Sequence, residues 1–207
     1  YQDYATYFVK WVQAFNAEGI DIYAVTPQNE PLNRGNSASL YMSWEEQRDF
    51  VKTALGPKFK AAGLATKIYA YDHNYDYSDI ATEKNYPGKM YEDAAASQYL
   101  AGAAYHNYGG NREELLNIHK AYPEKELLFT ETSIGTWNSG RDLSKRLLED
   151  MKEVALGTIN NWCRGVIVWN LMLDNDRAPN REGGCQTCYG AVDISNSDYK
   201  TIIRNSH

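Results

Sequence analysis

Apolar residues in this chain fall into two alternating textures. Short, dense apolar or aromatic runs occur at Ile22–Pro27, Lys67–Tyr71, Ala103–Tyr108, Leu127–Glu131 and Gly165–Asn170. Between them the apolar positions recur every three or four residues, the spacing of one face of a helix. The segment YFVKWVQAFNAEG places Tyr7, Phe8, Trp11, Val12 and Phe15 at that interval and stops at Gly19. SWEEQRDFVKTAL opens with Ser43 and Glu46 in the spacing of a capping box and is expected to break at Gly56-Pro57. YEDAAASQYLAG and NREELLNIHKAYP read as shorter helices ending near Gly102 and Pro123. LSKRLLEDMKEVALGTINNWC carries Leu143, Leu147, Met151, Val154 and Ile159 along one side.

Strand and helix alternate without a linker, which predicts parallel strands joined by helical crossovers. Either a doubly wound sheet or a (β/α)8 barrel satisfies the pattern. No G-x-G-x-x-G follows a strand and no P-loop is present, so phosphate-cradling folds lose their support. Polar residues instead collect at the strand C-termini: Asn29 and Glu30, Asp72 to Asn74, His106 and Tyr108, Glu131, Trp169 and Asn170. In a (β/α)8 barrel these ends share the face that holds the active site. Five strands are fewer than the eight that close a barrel, so a partial barrel, about strands 4 to 8 of a longer chain, is expected over residues 1–207. The tail DYKTIIRNSH is expected to end without a cap.

Two strand ends carry the chemistry. TPQNEP sets Glu30 beside Asn29 and against Pro31, and LLFTETS delivers Glu131 in the same manner. Two carboxyls facing each other across one barrel mouth suit glycoside cleavage, one protonating the departing oxygen while the other attacks or activates water. Asn29 would bond a hydroxyl next to the reacting carbon, Tyr108 would donate to the nucleophile, and Trp169 would underlie a sugar face. A lone glutamate is ordinarily a solvated surface group. A strand-end histidine such as His106 is as readily a hydrogen-bonded core residue as a ligand contact, and Asp72, His73 and Asn74 either line the cleft or cap the next helix.

Composition refines this picture only modestly. The 207 residues suffice for one sizeable core, and 17 Tyr with 5 Trp suit either sugar stacking or core filling. A net charge of −6 argues against nucleic acid, and no apolar stretch approaches a membrane span. The chain begins at Tyr1 with no visible leader. Cys185 and Cys188 form a lone C-x-x-C in the glycine-rich GGCQTCYG, short of a zinc set and outside a strand-to-helix turn, leaving a local disulfide or a reduced pair. Asp174 and Asp176 in LDNDR lack the glycine and terminal glutamate of a calcium loop and read as solvated.

VTPQNEP, YHNYGG, LLFTETS and VIVWNLMLD followed by GG, in that order from about Tyr7 to Ile194, resemble glycoside hydrolase family 30, retaining enzymes that include glucosylceramidases and endo-β-1,6-glucanases. The resemblance implies a (β/α)8 barrel, with Glu30 as acid/base, Glu131 as nucleophile, and Asn29, Asp72, His106, Tyr108, Trp137, Trp169 and Asn170 lining the sugar subsite. It implies a β-glucan, β-glucoside or glycolipid substrate, no cofactor or metal, and a protein that is secreted, periplasmic or at the cell surface. The family's early strands and its β-sandwich side domain are absent from this sequence. A family 5-like cellulase shares Asn-Glu-Pro but usually differs around FTETS. A non-catalytic sugar-binding barrel and a redox or metal protein built on the C-x-x-C are the remaining alternatives.

Overall fold

The computed structural model describes residues 1–35, 39–200 and 202–204, apart from the side chains of Asn138, Leu143 and Arg204. Helix α1 (Gln2–Ala17) turns its Tyr4 and Phe8 rings onto Phe50, with Tyr4 and Phe50 centred 5.1 Å apart. Strand β1 is only Ala24–Val25, shorter than the run Ile22–Pro27 had suggested. Beyond Val25 the chain turns inward: Thr26 bonds Asp72 and the Pro27 carbonyl accepts from the Tyr4 hydroxyl, so the strand has no ladder to continue.

Helix α2 (Trp44–Phe50) starts with both halves of the expected capping box. It does not stop at Gly56-Pro57 but continues through a π-turn (Val51–Leu55) into α3 (Gly56–Ala61). The Gly56 amide reaches back to the Val51 carbonyl, and this widening accommodates a proline that lacks its own donor. Strand β2 (Lys67–Asn74) is followed by a short 3-10 turn (Tyr77–Asp79), α4 (Tyr86–Glu92) and α5 (Ala94–Ser97). Strand β3 (Leu100–His106) contains Gly102, which is therefore not a helix end. A Cβ there would sit 1.9 Å from the Glu126 carbonyl, so glycine permits the close approach of the next strand. After α6 (Glu113–Ala121) come β4 (Glu126–Glu131) and the short β5 (Ile134–Gly135). Helix α7 (Leu143–Glu149) runs through a second π-turn (Asp150–Ala155) into α8 (Leu156–Ile159) and then β6 (Cys163–Val166). Four further short strands follow: β7 (Met172–Asp174), β8 (Cys188–Tyr189), β9 (Val192–Ile194) and β10 (Ile202–Arg204). The last lies in the tail DYKTIIRNSH, whose residues 201 and 205–207 fall outside the described ones.

The main sheet has five strands in the order β1-β2-β3-β4-β6, all parallel. This is the βα succession expected of part of a barrel. Helices cover one face over a core of Phe50, Leu55, Ile68, Tyr105, Leu127 and Phe129. Strands β7, β9 and β10 form a second sheet, and β5 pairs with β8. No helix among the described residues is long and apolar enough to cross a membrane.

The long helical stretch 143–159 departs from simple amphipathic expectation. Leu143's side chain lies outside the described ones, Val154 is buried, and Leu147, Met151 and Ile159 are 54%, 41% and 47% exposed. Besides Val154, the buried positions are small or polar: Gly157, Thr158, and Arg146 paired with Asp150 at 3.0 Å.

Candidate active site

Parallel register brings the polar strand ends together. Asn74 of β2 pairs with His106 of β3, and His106 pairs with Glu131 of β4. Strand β2 reaches this level through a bulge, with Tyr71 at φ +76° and Asp72 at φ +72°. The bulge shifts the side-chain alternation, so consecutive Asp72 and His73 both reach the site and both are buried. Glu30 arrives differently. It sits not on β1 but in the turn beyond it, at φ +48°, its amide bonded to the Asp72 carbonyl at 2.9 Å. A non-glycine residue in this left-handed region carries strain that the surrounding bonds must hold.

His106, 1% exposed, is the hub. Its Nδ1 lies 3.4 Å from Glu30 Oε1, and its Nε2 lies 3.1 Å from Asp72 Oδ1 and 4.0 Å from Glu131 Oε2. Burial alone would push its pKa down, but Asp72, Glu30 and Glu131 raise it to about 9, so the ring carries a proton at neutral pH. Asp72 is held below the usual carboxylate range despite its burial, because His106, Thr130 at 2.5 Å and Thr26 at 2.7 Å all donate to it.

The two glutamates differ. Burial raises the Glu30 pKa, but hydrogen bonds from His106 and from Asn33 Nδ2, the latter 2.8 Å from Oε2, outweigh it and bring it below the ordinary value. Glu131 is pushed up by burial and by the charges of Glu30 and Asp72, against the opposing His106 charge and Tyr108 hydroxyl. That hydroxyl donates to Glu131 Oε1 at 3.0 Å and also lies 3.0 Å from Ser133 Oγ. His73, 2% exposed, has its pKa lowered by burial to about 4 and stays neutral, with Nε2 4.0 Å from Glu30 Oε1.

Glu30, His106 and Glu131 each offer an atom within 4.8 Å of the others. A metal would tolerate that spacing, but a protonated imidazole facing carboxylates with both nitrogens has no lone pair to give. The same spacing leaves room for one anomeric carbon between two carboxyls, as a retaining pair requires.

The remaining sequence candidates frame this centre. Asn29 is exposed and its carbonyl accepts from Ser39 Oγ. Trp169 is half-buried beyond β6, its amide 2.7 Å from the Thr132 carbonyl just after Glu131. Asn170, at φ +67°, spends its Oδ1 on the Met172 amide at 3.0 Å. Trp137, 53% exposed, lies across Gly135, where a Cβ would meet its ring at 1.9 Å. Cys185 and Cys188 are disulfide-bonded, and the bridged loop pairs with β5 through Thr136 and Thr187 at 3.1 Å. Asn33, Thr26 and Thr130 were not among the candidates. Only Asn33 left a trace, as the turn signal PLNRG directly after Glu30.

Residues 1–197 match the model of the glycosyl hydrolase family 30 TIM-barrel domain. An endo-1,6-β-D-glucanase of Trichoderma harzianum is 37% identical over an alignment of 203 residues that covers 95% of this chain and 38% of that enzyme. A protein named putative glucosylceramidase 4 of Caenorhabditis elegans is 28% identical over 87% of this chain and 36% of its own length. A solved structure described as an endo-β1,6-glucanase superimposes with a TM-score of 0.98 at 90% identity, covering all of this chain and 45% of that one. The chain thus spans less than half the length of these relatives. Its five-stranded arc is part of a (β/α)8 barrel.

Proposed function

The chain belongs to glycosyl hydrolase family 30, and from that premise we propose that it is the catalytic core of a retaining β-glycosidase acting on β-1,6-linked glucan. The observation that carries the reading is the approach of Glu30 and Glu131 to within 4.8 Å from separate elements of one barrel face. The naming of both the 37% and the 90% identical relatives as β-1,6-glucanases supports the linkage.

In the first displacement a Glu131 oxygen attacks the anomeric carbon while the bond to the leaving oxygen breaks. Glu30 supplies the proton that the leaving oxygen takes. Water then enters, Glu30 takes its proton, and the resulting hydroxide displaces Glu131 with a second inversion. Tyr108 holds Glu131 Oε1 in line, and Asp72 orients His106 between the two acids. Trp137 and Trp169 offer apolar faces to neighbouring sugar rings, and Asn29 an amide to a ring hydroxyl. The Cys185–Cys188 bridge supports an oxidising compartment outside the cytoplasm.

We further propose that residues 1–207 work within a longer polypeptide, whose additional barrel units and side domain cover the exposed Leu147, Met151 and Ile159 stripe.

The deciding experiment follows hydrolysis of linear β-1,6-glucan by proton NMR. The first product should be the β anomer, and Glu131→Ala with azide should give the inverted α-glycosyl azide. An α anomer as first product, or a Glu131→Ala variant that keeps the parent rate, overturns the reading. The ionisation order in the empty site, Glu30 low and Glu131 high, favours a second reading in which the roles are exchanged. In that case Glu30→Ala with azide, not Glu131→Ala, gives the inverted product.

A further inference from the structure

We propose that Asn33 is a positioning residue that clamps Glu30 as a carboxylate in the empty site and must leave Oε2 before Glu30 can act as the acid. The inference rests on the acid/base role given to Glu30 above.

The geometry is specific. Glu30 to Asn33 forms a tight turn, closed by the Asn33 amide on the Glu30 carbonyl at 2.9 Å. The Asn33 side chain then folds back over it. Its Oδ1 accepts from the Gly35 amide at 3.0 Å, which fixes which end of the side-chain amide is oxygen. The other end, Nδ2, therefore points its hydrogens at Glu30 Oε2, 2.8 Å away. His106 Nδ1 faces Oε1 at 3.4 Å. Both carboxylate oxygens thus meet donors, and a proton on Oε2 would collide with the Asn33 donor.

Among the described residues no other group bonds Oε2. From β2, His73 approaches Oε1 at 4.0 Å and Asp72 engages the histidine; from β3 and its loop come His106 and Tyr108; from β4 comes Glu131. Removing Asn33 therefore leaves the His106 hub intact. Proton balance is simple: when Nδ2 swings away, Oε2 takes one proton from solvent, and that proton is the one later delivered to the leaving oxygen. Together with the larger effect of the His106 bond, the clamp lowers the Glu30 pKa in the empty site without exchanging the two roles.

Asn33→Asp tests this while preserving the fold, since its carboxylate can still accept from Gly35 but cannot donate to Glu30. The titration of Glu30 is read directly by 13C NMR of labelled glutamate side chains, assigned with Glu30→Gln. The midpoint should rise by about one pH unit or more in Asn33→Asp and by somewhat less in Asn33→Ala. The basic limb of kcat/KM on β-1,6-glucan should move up with it, with no uniform loss across pH. An unmoved Glu30 midpoint overturns the proposal, whatever the activity. A shifted midpoint in a protein that does not cleave the glucan supports the clamp and counts instead against the glycosidase assignment.

Discussion

Tyr108 donates its hydroxyl to Glu131 Oε1 at 3.0 Å, from the loop that follows the neighbouring strand. It is a direct donor to a carboxyl that burial drives toward its neutral form. In the nucleophile role proposed for Glu131 the carboxyl must be charged and correctly aimed, and this bond serves both needs.

Tyr108→Phe should therefore raise the Glu131 pKa further. Since attack requires the carboxylate, the acidic limb of kcat/KM on β-1,6-glucan should move to higher pH by roughly half to one unit. At fixed pH below that limb, kcat/KM should fall by about three- to tenfold. A pH–rate profile checks both, and an unchanged acidic limb removes Tyr108 from the nucleophile's support.

The two buried histidines should shape stability in opposite ways. His106 titrates near 9 when folded against an ordinary 6.5, so its contribution is complete below about 6.5 and is lost as pH rises through 9. That loss is of order 3 kcal/mol. His73 is depressed to about 4, so keeping it neutral costs stability as pH falls from 6.5 toward 4. Calorimetric Tm should peak near neutrality. His106→Gln should flatten the alkaline side and His73→Gln the acidic side.

Gly135→Ala should unseat Trp137 and the disulfide-bridged loop together. The added methyl would meet the Trp137 ring at 1.9 Å and the Thr187 carbonyl at 2.5 Å. A cost of about 2 kcal/mol is expected for such overpacking. Near-UV circular dichroism should report the displaced indole, and KM for long glucan should rise more than kcat falls.

The exposed stripe on the long helical stretch predicts a context effect. Leu147→Glu with Ile159→Lys should leave the Tm of the 207-residue chain nearly unchanged and raise its monomer fraction in sedimentation. In a longer polypeptide whose further barrel units cover that face, the same pair should cost about 3 kcal/mol or more. Equal behaviour in both settings would argue that nothing covers the stripe.

Much of the architecture was legible along the chain because its signals are local. The capping box at Ser43 and Glu46, the apolar run ending in Glu131, and the βα alternation each depend on residues within a turn or a strand of one another. The errors were local conflicts decided elsewhere. Gly56-Pro57 reads as a helix end, yet a π-turn carries the helix through, and a glycine at position 56 leaves room for the Tyr99 ring. Gly102 reads as a stop, yet it lets Glu126 approach in the sheet.

The sequence by itself determined that apolar strands would deliver carboxyls to one end of a parallel sheet, because alternation and burial are properties of neighbouring residues. Only the tertiary structure decided how those carboxyls are controlled. The β2 bulge sends Asp72 and His73 inward together, and the strained turn aims Glu30 at His106 across two strands. Charge state follows from burial and from donors distant in the chain. A period of two or of 3.6 residues carries no record of either.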